Sequence, residues 1–268
     1  MRIGFHKMHG LGNDFVVLDA RERAIPLDPA TARALADRRT GVGCDQVIMI
    51  GRSAVADVSM RIWNSDGSEV AACGNATRCV PVLLERDCSI ETGAGLLHAT
   101  IEDGGAVVDM GRPSFDWESI PLAYAMDTGA LPLAWDELER PAAVNVGNPH
   151  LVFFVADIAT VPLGELGPRI EADPLFPERI NVNIAEIVDR HRIRAKTWER
   201  GAGLTRACGT GACATAVAAI MAGRTDRPVQ VELPGGALTI AWTPGGTITM
   251  AGPATYVFSG EIDLPGVA

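Results

Sequence analysis

Apolar residues in this chain fall mainly into short runs: residues 15–18 and 47–50 are continuous, whereas residues 58–63 and 193–198 alternate with polar ones. Such alternation is typical of half-buried β-strands. Glycine, asparagine, aspartate and proline separate the runs and indicate turns. The pattern predicts strands at residues 15–18, 47–50, 58–63 and 193–198, and a last strand at residues 256–264 that could join either half.

Helical patterns are fewer. Residues 26–38 predict a helix, because Asp28 is a suitable N-cap and Pro29 suits the first helical position. Residues 162–177 are interrupted by proline and glycine and predict one short helix with loops. The chain therefore contains many strands and few helices, which predicts the α+β class.

Two further helices are predicted to begin at cysteine-glycine turns, one after Cys73 and one after Cys208. The second is rich in alanine and is predicted to end at Gly223, in a normal C-cap pattern. The first contains Pro81 beyond its first turn, where proline forces a kink. We expect that kink downstream of Cys73, so the cysteine keeps its position.

The two halves of the sequence repeat each other, which predicts an internal duplication. One offset of 135 residues carries Gly12-Asn13 onto Gly147-Asn148, Gln46 onto Asn181, Trp63 onto Trp198, and Ala72-Cys73-Gly74 onto Ala207-Cys208-Gly209. Small shifts extend the match to residues 91–97 with 232–238 and 110–113 with 250–253. The predicted domains are residues 1–117, joined by a C-terminal strand at 257–268, and residues 118–256.

Composition and cysteine spacing argue against several classes of function. The chain has 268 residues, 47% of them hydrophobic and 21% charged, as in a globular protein, and a net charge of -10 argues against non-specific nucleic-acid binding. Neither a signal sequence nor an apolar run long enough to span a membrane is recognised, so a cytoplasmic protein that does not bind membranes is expected. The cysteines lack zinc-site spacing, so no metal is expected. Four are predicted to be structural: Cys44, Cys79, Cys88 and Cys213.

Cys73 and Cys208 are the predicted catalytic pair. A thiol at a helix N-terminus has its pKa lowered from about 8.5, because the helix dipole favours negative charge there. A pseudo-twofold duplication places two such thiols on opposite sides of one cleft. That arrangement suits inversion of a stereocentre, in which one thiol removes a proton from one face and the other returns a proton to the opposite face.

The other matched polar residues fit a small zwitterionic substrate. The N–H groups of Gly74-Asn75 and Gly209-Thr210 can hold the reacting carboxylate. Arg200 can bind a second carboxylate and Glu199 an ammonium group. No dinucleotide fingerprint or pyridoxal lysine is recognised, so cofactor-free chemistry is predicted. Side-chain amides complete the set: Asn13, Gln46, Asn148 and Asn181.

Five ordered motifs, spread essentially end to end, closely resemble the diaminopimelate epimerase family: residues 9–15, 64–69, 73–75, 147–150 and 199–211. The resemblance implies pyridoxal-independent interconversion of LL- and meso-diaminopimelate, for lysine and cell-wall synthesis. It implies two halves, each a mixed barrel-like sheet around a central helix, with a cleft that closes on substrate. It also suggests a homodimer. Ala76-Thr77, where the family often has Gly-Ala, and Pro81 depart from its pattern.

The resemblance also assigns roles by matched position. Cys73 and Cys208 become the acid/base thiols, and His150 and Glu199 support proton transfer. The implied substrate ligands are Asn13, Asn64, Gly74, Asn75, Asn148, Asn181, Glu199, Arg200, Gly209 and Thr210, with Gln46 nearby.

Three alternatives stay open at the level of sequence. A related racemase acting on proline or hydroxyproline also uses two cysteine thiols as acid and base. Its substrate has only one carboxylate, however, which gives Arg200 beside Glu199 little to bind. A thiol redox switch requires the two cysteines within disulfide range. A binding protein without catalysis would tolerate the loss of Cys73.

Overall fold

The computed structural model describes residues 1–264; residues 265–268, the end of the predicted C-terminal strand, lie outside the described residues. Two units make up the chain. The first comprises Met1–Val108 and the chain from Gly252 onward, and the second comprises Asp109–Ala251. The sequence-based boundary near residue 117 lies slightly later. Within residues 1–264, no helix is both long enough and apolar enough to cross a bilayer.

The elements follow in chain order. The first part of the chain forms β1 (Arg2–Gly10), β2 (Asn13–Asp19), α1 (Pro29–Ala36), β3 (Gln46–Gly51), β4 (Val58–Asn64), β5 (Glu69–Val70), α2 (Gly74–Leu84), β6 (Cys88–Thr92), β7 (Gly95–Glu102) and β8 (Gly105–Asp109). The remainder forms β9 (Ala134–Trp135), β10 (Leu138–Glu139), β11 (Ala142–Asn145), β12 (Pro149–Phe154), α3 (Leu163–Glu171), β13 (Asn181–Asp189), β14 (Arg192–Glu199), β15 (Gly203–Thr205), α4 (Gly209–Met221), β16 (Val229–Leu233), β17 (Gly236–Trp242), β18 (Ile248–Pro253) and β19 (Thr255–Asp263).

Each unit packs a mixed sheet around one helix. In the first unit β2 runs parallel to β3, β3 runs antiparallel to β4, and β19 returns to pair with β1. Helix α2 packs against β1, β6, β7 and β19. In the second unit β12 runs parallel to β13, β13 runs antiparallel to β14, and α4 packs against the surrounding strands.

The strand register repeats the sequence duplication. In the first unit Phe15 pairs with Gln46 and Val47 with Trp63; in the second His150 pairs with Asn181 and Val182 with Trp198. Each residue of the second set follows its counterpart by 135 positions. The two halves therefore share strand pairings as well as residues. The predicted duplication and the α+β class are confirmed.

Helix α1 is shorter than the predicted 26–38 because side chains fix both ends. The Asp28 carboxylate accepts a hydrogen bond from the Thr31 N–H at 2.7 Å, so the helix begins directly after Asp28. At the other end Asp37 leaves the helical conformation, and its carboxylate accepts from the Thr40 N–H at 2.7 Å. That local turn competes with a further helical turn.

Helix α2 runs from Gly74 to Leu84 and includes Pro81; the kink expected at this proline stays a prediction. Pro81 has no N–H, so the Thr77 carbonyl lacks its usual hydrogen bond within the helix. Glu85 then adopts a left-handed conformation with φ 55°, and the Arg86 N–H donates to the Pro81 carbonyl at 3.2 Å. Cys73, at the opposite end, is the N-cap as predicted.

Helix α4 is buried on nearly every face, which explains its run of alanines. All residues from 211 to 219 are buried, so small side chains let the strands approach from several sides. The helix stops as predicted, because Gly223 adopts φ 65° and its N–H donates to the Ile220 carbonyl at 3.0 Å. Cys208 lies at its N-cap.

Replacing Gly167 with alanine should destabilise the second unit. A Cβ there would lie 2.5 Å from Cγ and 2.9 Å from Cβ of Trp198, and these atoms cannot move without moving strand β14. We expect Gly167→Ala to lower the free energy of unfolding by about 1–3 kcal/mol, the usual cost of overpacking. Gly164, in the same helix, is the matched control because a Cβ there meets nothing within 4 Å. Denaturant unfolding of both variants checks this, and equal stability would contradict it.

Candidate active site

Cys208 lies at the start of α4 with its thiol turned toward the first turn of that helix. Its sulfur accepts a hydrogen bond from the Gly211 N–H at 3.3 Å and lies 3.5 Å from the Thr210 hydroxyl. The residue is only 4% exposed. The predicted placement of this cysteine at a helix N-terminus is confirmed.

Glu199 is the charged group beside this thiol. It ends β14, and its carboxylate accepts from the Thr205 hydroxyl at 2.5 Å and from the Cys208 thiol. Burial raises the pKa of Glu199, and these two hydrogen bonds act in the opposite direction. A carboxylate held in this way can take up the proton that the thiol gives up.

The pKa of Cys208 differs from the sequence-based expectation. Burial and the negative charge of Glu199 raise it well above its ordinary value, while the hydrogen bonds from Thr210 and Gly211 lower it. The helix end does favour the thiolate, as predicted, but desolvation outweighs it. Cys208 is therefore protonated at neutral pH and ready to act as an acid.

His150 is the buried residue that links Asn183 to Asn148 by hydrogen bonds. Its ring is fully buried, with Nε2 2.9 Å from Asn148 Oδ1 and Nδ1 3.1 Å from Asn183 Nδ2. Burial and the nearby charge of Arg200 lower its pKa to about 3, although the bond from Asn183 raises it. The imidazole is therefore neutral. Asn148 in turn donates from Nδ2 to the Thr210 hydroxyl at 3.3 Å.

Asn181 braces the segment that carries Arg200. Its buried amide donates to the Pro149 carbonyl at 2.7 Å and accepts from the Arg200 N–H at 2.9 Å. One amide hydrogen remains for a ligand. The Arg200 side chain is exposed and donates to the Glu178 carbonyl at 2.9 Å. The structure thus places Asn181 behind Arg200 and leaves most of the guanidinium available.

Glu171 also holds this segment and is not among the residues predicted from the sequence. It is 7% exposed, and its carboxylate accepts from Trp198 Nε1 at 2.7 Å and from the Gly201 N–H at 3.0 Å. Arg179 lies 3.5 Å from the same carboxylate. A buried acidic residue at the end of an amphipathic helix was the available signal, because such residues require partners.

Cys73 takes the corresponding position in the first unit, at the N-cap of α2. Its sulfur lies 3.8 Å from Asn13 Oδ1, which also accepts from Asn75 Nδ2 at 3.2 Å. The Asn75 oxygen accepts from the fully buried Arg78 at 2.9 Å. Gly74 and Asn75 begin α2, as Gly209 and Thr210 begin α4. Of the predicted residues, Asn13, Asn75 and Cys73 are brought together here.

A cluster of charged residues fixes the orientation of Asn13. Asn13 Nδ2 donates to Asp45 at 3.0 Å, and Asp45 accepts from Arg38 at 2.7 Å. Arg38 also binds Asp14 at 2.6 Å, and Lys7 forms an ion pair with that carboxylate. Burial raises the pKa of Asp14, but the bonds from Arg38 and Lys7 prevail and lower it to about 2. These supporting residues were also missed by sequence analysis.

Gln46 and Asn64 form a second polar pair in the first unit. Gln46 Nε2 donates to Asn64 Oδ1 at 2.9 Å, and Asn64 Nδ2 donates to the Ser68 hydroxyl at 3.1 Å. Gln46 Oε1 is buried and accepts no hydrogen bond from the residues in 1–264. A buried acceptor without a donor is costly, so this oxygen suits an N–H donor of a ligand.

Comparisons with known proteins identify the family of this chain. A family model described as diaminopimelate epimerase matches residues 5–116 and 142–257. Proteins named diaminopimelate epimerase from Rhizorhabdus wittichii and Zymomonas mobilis are 65% and 61% identical; each match covers 98% of this chain, and 97% and 98% of those proteins.

Solved structures share the fold at low identity. A Bacillus anthracis phenazine biosynthesis protein of the PhzF family has a TM-score of 0.71 at 18% identity, covering 98% of this chain and 99% of that one. A hydroxyproline epimerase from Agrobacterium vitis has a TM-score of 0.69 at 18% identity, covering 97% and 91%. The family model and these relatives define the chain as an isomerase of the epimerase type. The chain belongs to the diaminopimelate epimerase family.

Proposed function

We propose that the protein interconverts LL- and meso-2,6-diaminopimelate without a cofactor, using Cys73 and Cys208 as the two acid/base groups. The observation that carries this proposal is the cysteine at the N-cap of the central helix in both halves of a duplicated fold. A two-base inversion uses one acid/base group on each face of the stereocentre, and the duplication supplies two.

In the reaction, a thiolate removes the α-hydrogen as a proton, and the electron pair of the broken C–H bond stays on the substrate. The carbanionic intermediate is stabilised when its carboxylate is bound by preorganised N–H donors. The first N–H groups of α2 and α4, at Gly74-Asn75 and Gly209-Thr210, are suited to this. The opposite thiol then donates its proton to the other face, which completes the inversion.

Glu199 assists when Cys208 has to act as the base. Because the thiol is protonated and donates to the Glu199 carboxylate, that carboxylate is the acceptor for its proton. In the reverse role Cys208 delivers its proton directly to carbon. The neutral His150 holds Asn148 and thereby supports proton transfer without taking a proton itself.

The remaining residues select the substrate. Diaminopimelate carries a second amino-acid group at its far end, and Arg200 presents an exposed guanidinium that suits its carboxylate. The unpaired Gln46 Oε1 suits one of its ammonium groups. We assign the other binding roles to Asn13, Asn64, Asn148, Asn181 and Glu199. The product would serve lysine and peptidoglycan precursor synthesis.

Incubating the protein with LL-diaminopimelate in D2O tests the function. We expect meso product in which solvent deuterium occupies the inverted α-carbon, because the proton returned to the opposite face comes from a thiol that exchanges with solvent. Mass spectrometry and chiral chromatography measure label and configuration together. Inversion without deuterium at the α-carbon, or no inversion at all, would contradict the proposal.

The runner-up is a proline or hydroxyproline epimerase, because a hydroxyproline epimerase shares the fold. Its substrate has one carboxylate, which leaves the exposed Arg200 without a role. Turnover of hydroxyproline with none of diaminopimelate would favour it.

The homodimer and the cytoplasmic location stay predictions. Strand β19 carries exposed apolar side chains, which support contact with a second copy: Tyr256, Val257 and Phe258.

A further inference from the structure

A chain of hydrogen bonds in the second unit leads from Asn183 in strand β13 to the sulfur of Cys208. At this first residue, the Asn183 Nδ2 donates a hydrogen bond to the backbone carbonyl of Leu151 at 2.7 Å. A carbonyl only accepts, so the amide orientation is determined. The Asn183 oxygen must then be the atom that accepts from the Thr197 hydroxyl at 2.8 Å.

The direction of every later bond follows from that orientation. The second hydrogen on Asn183 Nδ2 points to His150 Nδ1 at 3.1 Å, so this ring nitrogen accepts. A neutral imidazole then carries its proton on Nε2 and donates to Asn148 Oδ1 at 2.9 Å. Asn148 donates to Thr210 at 3.3 Å, which leaves the Thr210 O–H to donate to the Cys208 sulfur at 3.5 Å.

The inner residues of this chain cannot easily rearrange. Asn183 and His150 are fully buried, and Thr197 is 2% exposed. The first turn of α4 rests directly on them: a Cβ on Gly211 would lie 2.6 Å from the Thr197 hydroxyl and 2.7 Å from the Asn183 oxygen. The backbone of the cysteine-bearing helix and the amide of Asn183 are therefore in close contact.

We propose that Asn183 is a positioning residue, which sets the direction of this chain so that each donor points toward the Cys208 sulfur. The proposal rests on the proposed role of Cys208 as an acid/base group and adds a residue to it. Asn183 touches no reacting atom. It acts by holding one tautomer of His150, which orients the Asn148 amide and leaves the Thr210 hydroxyl as a donor to sulfur.

Two charged groups, Glu199 and Arg200, face the ends of the hydrogen-bond chain and affect the protonation of its members. Glu199 faces the thiol and opposes its ionisation, and Arg200 lies near His150 and opposes protonation of the ring. Neither group selects between the two neutral tautomers of the imidazole. That selection comes from Asn183, because its amide is the hydrogen-bond partner of Nδ1.

The first test needs no variant. Nitrogen NMR of histidine-labelled wild-type protein should show His150, assigned by its absence in His150→Gln, as the neutral Nε2–H tautomer across neutral pH. The Nδ1–H tautomer, or a protonated ring, would overturn the proposal. This measurement does not involve epimerase activity, so its outcome is separate from that of the proposed function.

The second test reverses the chain. In Asn183→Asp the carboxylate accepts from His150 Nδ1–H, so Nε2 becomes an acceptor, the Asn148 amide turns over, and Thr210 no longer donates to sulfur. Losing one hydrogen bond to the thiolate should slow alkylation of Cys208 by iodoacetamide about 10- to 100-fold at neutral pH. Peptide mass spectrometry follows Cys208 alone, and the NMR spectrum should show the opposite tautomer.

Two isosteric variants complete the design. Thr197→Val removes the first hydroxyl, but Leu151 still fixes the Asn183 amide, so alkylation should stay within about threefold of wild type. Thr215→Val is its control, because the buried Thr215 hydroxyl bonds to nothing in residues 1–264. A folded Asn183→Asp protein with unchanged tautomer and unchanged alkylation would refute the proposal.

Discussion

Cys208→Ala should slow epimerisation severely while leaving the fold intact. We expect kcat to fall by about 10²–10⁴-fold, because the variant lacks the group that exchanges a proton with one face of the substrate. Cys73 alone serves only the other face, so any deuterium that enters from D2O does so with retention of configuration. Cys73→Ala should give the mirror result, with label in the opposite stereoisomer.

Cys88→Ala is the matched control for both cysteine variants. Cys88 is 6% exposed and lies in strand β6 rather than at a helix N-cap, so we expect it to take no part in the chemistry. Its variant should turn over at the wild-type rate. Circular dichroism establishes that each variant is folded, and a folded Cys208→Ala protein that still inverts its substrate contradicts the two-base mechanism.

Glu199→Gln should slow the enzyme and yet make its thiol more reactive. We expect kcat to fall about 100-fold in the direction that needs Cys208 as base, because an amide does not take the thiol proton. The same change removes the negative charge that raises the pKa of Cys208. The thiolate should therefore form at lower pH, and alkylation of Cys208 should be faster than in wild type.

These opposite effects separate a chemical role for Glu199 from a structural one, since a damaged site would lose both rate and selective reactivity. Glu232→Gln is the control: this carboxylate lies 3.5 Å from Arg194 in the same unit, outside the site. Measuring kcat in both directions, with alkylation as a function of pH, gives the comparison. A slower enzyme with an unchanged alkylation profile would show that Glu199 does not act on Cys208.

Much of the fold was predictable because short-range patterns determine it. Continuous apolar runs indicated β2 and β3, and alternation indicated β4 and β14. Residues at a constant offset indicated the duplication that the strand register repeats. The ends of α1 were less predictable, since a local turn at Asp37 competed with the helix. The kink expected at Pro81 stays a prediction, since α2 includes this proline and runs on to Leu84.

The site was predictable only in part, for a physical reason. A helix-capping cysteine can be recognised from the residues around it, but its pKa depends on burial that distant segments provide. Asn183 lies 33 positions from its partner His150, so no local pattern connects them. Two asparagines on one face of a strand, at 181 and 183, were the available signal, because asparagine is depleted in strands unless it is bonded.

The close approach of Gly211 to β13 and β14 also restricts how this family can diverge. Any side chain at position 211 would collide with both the Thr197 hydroxyl and the Asn183 oxygen. A larger residue there is tolerable only if positions 183 and 197 become smaller together. The three positions are therefore expected to covary, and redesign of the catalytic helix has to treat them as one unit.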